Sequence, residues 1–267
     1  MIDDCKKLTE EINKLNCYKV FYFGSKPLII YKNHRFIVPI IWQANKLNII
    51  DSNINILCLD KHLDGKHCEN ANNMKTITTF NDLYRHCRDN LSKNNDDWIS
   101  ILMEESLINR FIYVGEGSFG SNILEQFPGK IFELTMIEGQ FDNQGKLNDI
   151  ARKEELNQLW DALKWEYRPE NGFRMDKSTK ILLDIDLDYF TFDWRGRHYA
   201  WQDQFYDFEF NPKGDKFIND IIDRSPFITI ATEEMCCGGK NEAKKILNKL
   251  NMKYFNSTIA IEECFAV

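Results

Sequence analysis

Two short segments hold the acids and imidazoles best suited to chemistry. The first, ILCLDKHLD at residues 56–64, is an apolar run that ends in Asp60, His62 and Asp64. Alternate residues of an extended chain point the same way, so this spacing presents two carboxylates and an imidazole together. The second, KILLDIDLDYF at residues 180–190, alternates Asp184, Asp186 and Asp188 with Ile185 and Leu187. That alternation turns the apolar side chains to one layer and the carboxylates to the other. Carboxylates gathered at the edge of a core repel one another and are badly desolvated. No Lys or Arg stands on the aspartate face of the second segment, which leaves metal ions as the natural counter-charge. Oxygen ligands with a few imidazoles favour manganese, magnesium or iron over a thiolate-type zinc site. Asp60, Asp64, Asp184 and Asp186 supply four negative charges, which two divalent cations would neutralise. Either segment alone also fits a solvated strand end, a capping cluster or a lone magnesium site. Two such segments, each closing an apolar strand of the same chain, argue for one shared centre.

The elements that must position these residues alternate along the chain. Residues 4–16 have helical spacing, with Leu8, Ile12 and Leu15 on one face. YKVFYFG and KPLIIYKN predict two strands joined by a Gly-Ser-Lys-Pro turn. RFIVPIIWQANKL predicts a helix, with Pro39 near its first turn. NINILCL is a β-branched run that predicts a buried strand stopping at Asp60. Residues 65–76 predict a loop. TFNDLYRHCRDNL, DDWISILMEESLI and ARKEELNQLWDALKWE predict helices, and RFIYVGEG and KIFELTMI predict strands. TKILLDIDLDYF is the clearest buried strand. After it come a helix in KFINDIIDRS, a strand in PFITIAT, a helix in NEAKKILNKLN and a last strand in STIAIEECF. Strands alternating with helices predict an α/β fold with a mainly parallel central sheet flanked by helices on both faces. Ligands of such sheets bind beyond the carboxyl ends of the strands, where both acidic segments end.

Bulk properties bound the function. The 267 residues suffice for one large domain spanning 1–267, and no linker divides them. Hydrophobic residues at 43% exclude a disordered chain. A net charge of -7 disfavours a broad nucleic-acid surface and suits a cationic partner or bound metal. No apolar run approaches membrane-spanning length, and the N-terminus lacks the apolar region of a signal peptide. Eight cysteines occur without a CxxC pair, which argues against a zinc ribbon and for reduced thiols in the cytoplasm. Cys236-Cys237-Gly238-Gly239 is unusual; a tight turn near the substrate suits it better than a strained vicinal disulfide. A homo-oligomer is compatible with the sequence, which does not specify one.

Asp60-Lys-His62-Leu-Asp64 and Asp184-Ile-Asp186 resemble the two metal motifs of the arginase and agmatinase superfamily. Asn33-His34, followed by RFIVPIIW, looks like its upstream metal-binding histidine element. This variant, together with NDDWISILMEESLINRFIYVG and ATEEMCCGG, resembles the peptide arginase branch, which converts arginine in ribosomally made peptides to ornithine. The resemblance covers most of residues 30–240, is specific at the metal motifs and is loose elsewhere. It implies a three-layer arginase/deacetylase-like fold and two manganese ions. One ion would be bound by His34, Asp60, Asp64 and Asp184, the other by Asp60, His62, Asp184 and Asp186. Asp60 and Asp184 would bridge, and a water acidified between the ions would attack the guanidinium carbon. A cationic guanidinium needs an acidic partner; Glu233 is the implied reader, with Glu234 in reserve. The motif departs after Asp186, where only Leu187 precedes Asp188, so Asp188 is expected to support the site or the substrate. No histidine matches the family's proton shuttle; His67 is the first candidate, and His86 and His198 are the others. The departures favour an arginine-containing peptide over free arginine or agmatine. Two other functions compete. A deacetylase-like amidohydrolase would use one zinc and an adjacent histidine pair, and no His-His occurs here. A metal-stabilised binding module would not require an open, bridged site.

Overall fold

The computed structural model describes residues 2–62, 64–65, 76–92, 96–116, 121–136, 180–194, 196–210 and 212–266. The expected helix over 151–166 and the expected proton shuttle His67 lie outside the described residues. The chain opens with helix α1 (Ile2–Ile12), whose Leu8 and Ile12 are fully buried, as their spacing predicts. Strands β1 (Tyr18–Phe23) and β2 (Lys26–Tyr31) then form an antiparallel hairpin. A 3-10 turn (His34–Phe36) leads into α2 (Ile37–Lys46), and β3 follows (Asn55–Leu59). Next come α3 (Phe80–Asn90), α4 (Trp98–Glu104), β4 (Arg110–Glu116), α5 (Ser121–Gln126) and β5 (Ile131–Met136). The second half holds β6 (Ile181–Asp186), β7 (Thr191–Trp194), β8 (Arg197–Ala200), α6 (Asp203–Glu209), α7 (Pro212–Arg224), β9 (Ile228–Ala231), α8 (Lys240–Tyr254) and α9 (Ile261–Cys264).

Seven strands make one sheet in the order β1-β2-β9-β6-β3-β4-β5. Every pairing except β1 with β2 is parallel. The expected α/β class with a mainly parallel sheet is therefore present. Alternation along each strand divides the core in two. Ile29, Ile56, Cys58, Phe111 and Leu182 pack on the face covered by α1 to α4. Leu28, Leu57, Leu59, Leu183, Ile185 and Ile230 pack on the face covered by α7 and α8. The second acidic segment follows this rule: Ile185 and Leu187 join the second cluster, and Asp184 shares the first face with Leu182. No helix among the described residues is long and apolar enough to cross a membrane.

Two expectations change. STIAIEECF forms no strand; Ile261–Cys264 is a short helix. The Asn251 side chain accepts from the Ile259 N–H at 2.9 Å and donates to the Ile259 carbonyl at 3.0 Å. Asn251 thereby satisfies the backbone groups a ladder would have used. The strand expected over TKILLDIDLDYF also ends sooner, at Asp186, and Leu187–Phe190 is a 3-10 turn. Asp186 Oδ1 accepts from the Asp188 N–H at 3.0 Å, a local Asx bond that competes with the strand.

Candidate metal centre

The centre forms where β3 and β6, adjacent and parallel, run out at their carboxyl ends. Their register sets Cys58 beside Asp184 and Leu59 beside Ile185. Continuing that register by one residue sets Asp60 level with Asp186. Asp186 in turn is level with Ala231 of β9. On the outer side, the Asp60 N–H bonds to the Val114 carbonyl at 3.1 Å. Gly115 follows Val114, and a Cβ there would lie 1.8 Å from the Asp60 carbonyl oxygen. Only glycine lets β4 pass this close to the Asp60 backbone.

His34 sits in the middle of the acids and is fully buried. Its Nε2 lies 2.7 Å from Asp184 Oδ2. Its Nδ1 faces Asp64 Oδ2 at 2.9 Å, Asp60 Oδ2 at 3.2 Å and Asp186 Oδ2 at 3.2 Å. None of these three ion-pair approaches has hydrogen-bond geometry, so Nδ1 is a buried nitrogen without a hydrogen-bond partner. An imidazole that donates through Nε2 carries a lone pair on Nδ1. A lone pair aimed among three carboxylate oxygens is repulsive unless a cation lies between them. The donor set therefore fits a metal ion, with Asp184 orienting the ring from behind in the manner of a carboxylate–histidine–metal triad.

A second grouping adjoins the first. Asp60, Asp186 and Asp188 offer oxygens within 4.8 Å of one another, and His62, Asp188 and Cys236 offer a similarly close set. His62 Nδ1 is 2.6 Å from Asp188 Oδ2. Asp188 Oδ1 accepts from the Lys61 N–H at 3.2 Å, and Asp60 Oδ1 from the His62 N–H at 2.7 Å. The 3-10 turn that begins at Leu187 delivers Asp188 to this place.

Asp184 is set apart from the other acids by its protein partners. Both of its oxygens are engaged. Oδ1 accepts from Thr229 Oγ1 at 2.7 Å and Tyr31 OH at 3.2 Å, and Oδ2 meets His34 and the Cys58 thiol at 3.3 Å. Asp186 and Asp188 are the acids of this segment that group with Asp60. The physical reason is register. Three acids at alternate positions have two frames, and only pairing with β3 chooses between them.

Electrostatics point the same way. Burial pushes Asp60 up to about 6, and raises Asp64 and Asp186 well above the usual carboxylate range. Burial opposes protonation of His34, but the carboxylates around it, Asp184 foremost, outweigh that and push it well up. The hydrogen bond that His62 donates to the Asp188 carboxylate raises the imidazole to about 9. Burial acts against ionised Asp188 as well, yet the His62 partnership prevails and lowers its pKa. Burial thus favours the protonated forms of Asp60, Asp64 and Asp186.

Glu233 and Glu234 separate as substrate-reader candidates. Glu233 is buried, with Oε1 accepting from the His34 N–H at 2.7 Å. Burial pushes its pKa up to about 7, and the charges of Asp188 and Asp60 add to the rise. Glu234 turns to the Lys32 ammonium at 3.8 Å. Glu233 has a positive φ of 32° and opens the turn that carries Cys236 and Cys237. The two thiols diverge: Cys236 Sγ lies 3.9 Å from Glu233 Oε2, while Cys237 Sγ meets the Thr232 carbonyl at 3.3 Å. The expected tight turn is present, and both thiols are free. Of the other histidines, His86 bonds Asn90 on α3, and His198 pairs with Asp193 on the β7–β8 hairpin.

Trp98 is a site residue that sequence reasoning missed. Its indole N–H donates to Asp64 Oδ2 at 2.7 Å, and its ring lies 4.6 Å from that of His34. A buried Trp needs a partner for its N–H, and Asp97-Trp98 at the start of a helix was the available signal. No protein-family model and no curated protein matches the chain.

Proposed function

We propose that the chain is a hydrolase that uses two divalent cations, manganese first, to convert arginine within a peptide to ornithine and urea. The observation that carries this reading is the sharing of Asp60 and Asp186 between two donor groups beside a buried glutamate. His34, Asp60, Asp64 and Asp186 would hold one cation, and His62, Asp60, Asp186 and Asp188 the other. Two bound cations would acidify a water at neutral pH and polarise the carbon it attacks. The chain's own residues do the rest. Asp184 fixes the ring of His34, and Trp98 fixes the carboxylate of Asp64. Glu233, held by the His34 N–H, offers a carboxylate to the guanidinium. This supports an arginase-like fold and chemistry, as the motifs suggested.

The β7–β8 hairpin supports a peptide substrate. Glu242 of α8 accepts from the Ala200 N–H at 2.9 Å and pins the hairpin beside the site. Gly238, with φ of 85°, packs so tightly on the His198 carbonyl that a Cβ would lie 2.1 Å from its oxygen. The hairpin and the turn after Glu233 thus form one rim, which a peptide backbone would cross. Lys61 lies below it, bonded to Asp193 at 3.0 Å. The test is incubation of manganese-loaded protein with arginine-containing peptides, free arginine and agmatine. Mass spectrometry should show the peptide losing CH2N2 as urea appears. Rapid turnover of free arginine or agmatine with every peptide unchanged would defeat the peptide assignment.

A further inference from the structure

We propose that Cys236 supplies a thiolate to the cation held by His62 and Asp188, making that position a mixed nitrogen, oxygen and sulfur site. The proposal rests on the two-cation reading above and adds a ligand which that reading does not contain. A ring nitrogen of His62, an oxygen of Asp188 and Sγ of Cys236 all lie within 4.8 Å of one another. That bound is close to the span of about 4.6 Å that one ion with bonds of about 2.3 Å can bridge. The turn is built to hold the sulfur there. The Glu233 carbonyl accepts from the Cys236 and Cys237 N–H groups at 2.8 and 3.0 Å, folding Cys236 back over Glu233. Gly238 then locks the turn against the His198 carbonyl. Cys237, one residue on, is committed to the core, so of this pair it is Cys236 that groups with His62 and Asp188.

On coordination the thiol would give its proton to solvent and form a sulfur–metal bond, with no change of oxidation state. A thiolate is a softer donor than a carboxylate and would move this position from manganese towards cobalt, iron or zinc. The position held by His34 would keep its oxygen-rich, harder character. The two positions would then differ in metal preference.

Cobalt(II) titration of the full metal-free chain tests this by absorbance, without reference to turnover. The expected result is a near-ultraviolet sulfur-to-cobalt charge-transfer band. It should vanish in Cys236→Ser and persist in Cys58→Ser, whose thiol lies 3.9 Å from His34 Nε2. Two equivalents of cobalt bound without that band would overturn the thiolate and leave the two-cation reading standing. No cobalt binding would overturn both. A band lost in Cys58→Ser alone would move the sulfur ligand to the wrong cysteine and also overturn the proposal. Alkylation of the unmodified protein avoids dependence on a variant's folding. Saturating cobalt should slow iodoacetamide labelling of Cys236 relative to Cys17, and an unchanged ratio would count against the proposal.

Discussion

Replacing Asp184 and Asp188 separately by asparagine distinguishes the two frames of the D-x-D-x-D segment. Asp184 accepts from His34, Thr229, Tyr31 and Cys58, with none of its directions left for a cation. Asparagine keeps one acceptor and turns the other oxygen into a donor that faces existing donors. The ring of His34 loses its orientation, and loss of such a supporting partner typically costs about 10 to 100-fold in metal affinity. That corresponds to about 1.4–2.7 kcal/mol. Both binding equivalents should nonetheless remain. Asp188→Asn removes a charged donor 2.6 Å from His62 and should abolish the second equivalent. Isothermal titration of manganese into each metal-free variant reads both numbers. One equivalent in Asp184→Asn and two in Asp188→Asn would refute the register argument.

Three further outcomes follow from the same geometry. Trp98→Phe removes the 2.7 Å bond to Asp64 while keeping a ring against His34; it should destabilise by about 1.5–3 kcal/mol in chemical denaturation and weaken the first cation. Glu233→Gln should raise KM for an arginine peptide more than it alters metal content, both measured on one preparation. The metal-free protein should lose thermal stability as pH rises from about 4 to 9. Asp60 and Glu233 have folded pKa values of about 6 and 7, above their ordinary 3.8 and 4.5, so the folded state binds more protons than the unfolded one across that interval. Each then costs on the order of 3 kcal/mol once ionised in both states. His62, raised to about 9, contributes stability below 6.5 that is lost as pH passes 9. Manganese should flatten this decline, and a melting temperature that rises with pH in its absence would contradict the sign.

Much of the fold is legible in residue patterning. NILCL and ILLDID are apolar enough to be central strands, and the structure buries both completely. The donor types were equally plain, because His34, Asp60, His62 and Asp64 fall where an apolar run stops. Which acids of the second segment group with Asp60 was not. Alternation within a strand says which face a side chain takes, but the level at which it stands depends on the neighbouring strand. Trp98 was hidden for a related reason: it comes from a helix 34 residues away from the carboxylate it holds. STIAIEECF misled because β-branched composition signals extension only where a sheet edge is open, and Asn251 had already taken those backbone groups.

Two cations are proposed to sit between the ends of β3 and β6. Anomalous diffraction at the manganese edge, from crystals of manganese-loaded protein, addresses this directly. Two peaks are expected. One should contact His34 Nδ1, Asp60, Asp64 and Asp186, and the other His62, Asp60, Asp186 and Asp188. A single peak, or a peak coordinated by Asp184 in place of Asp186, would contradict the proposal.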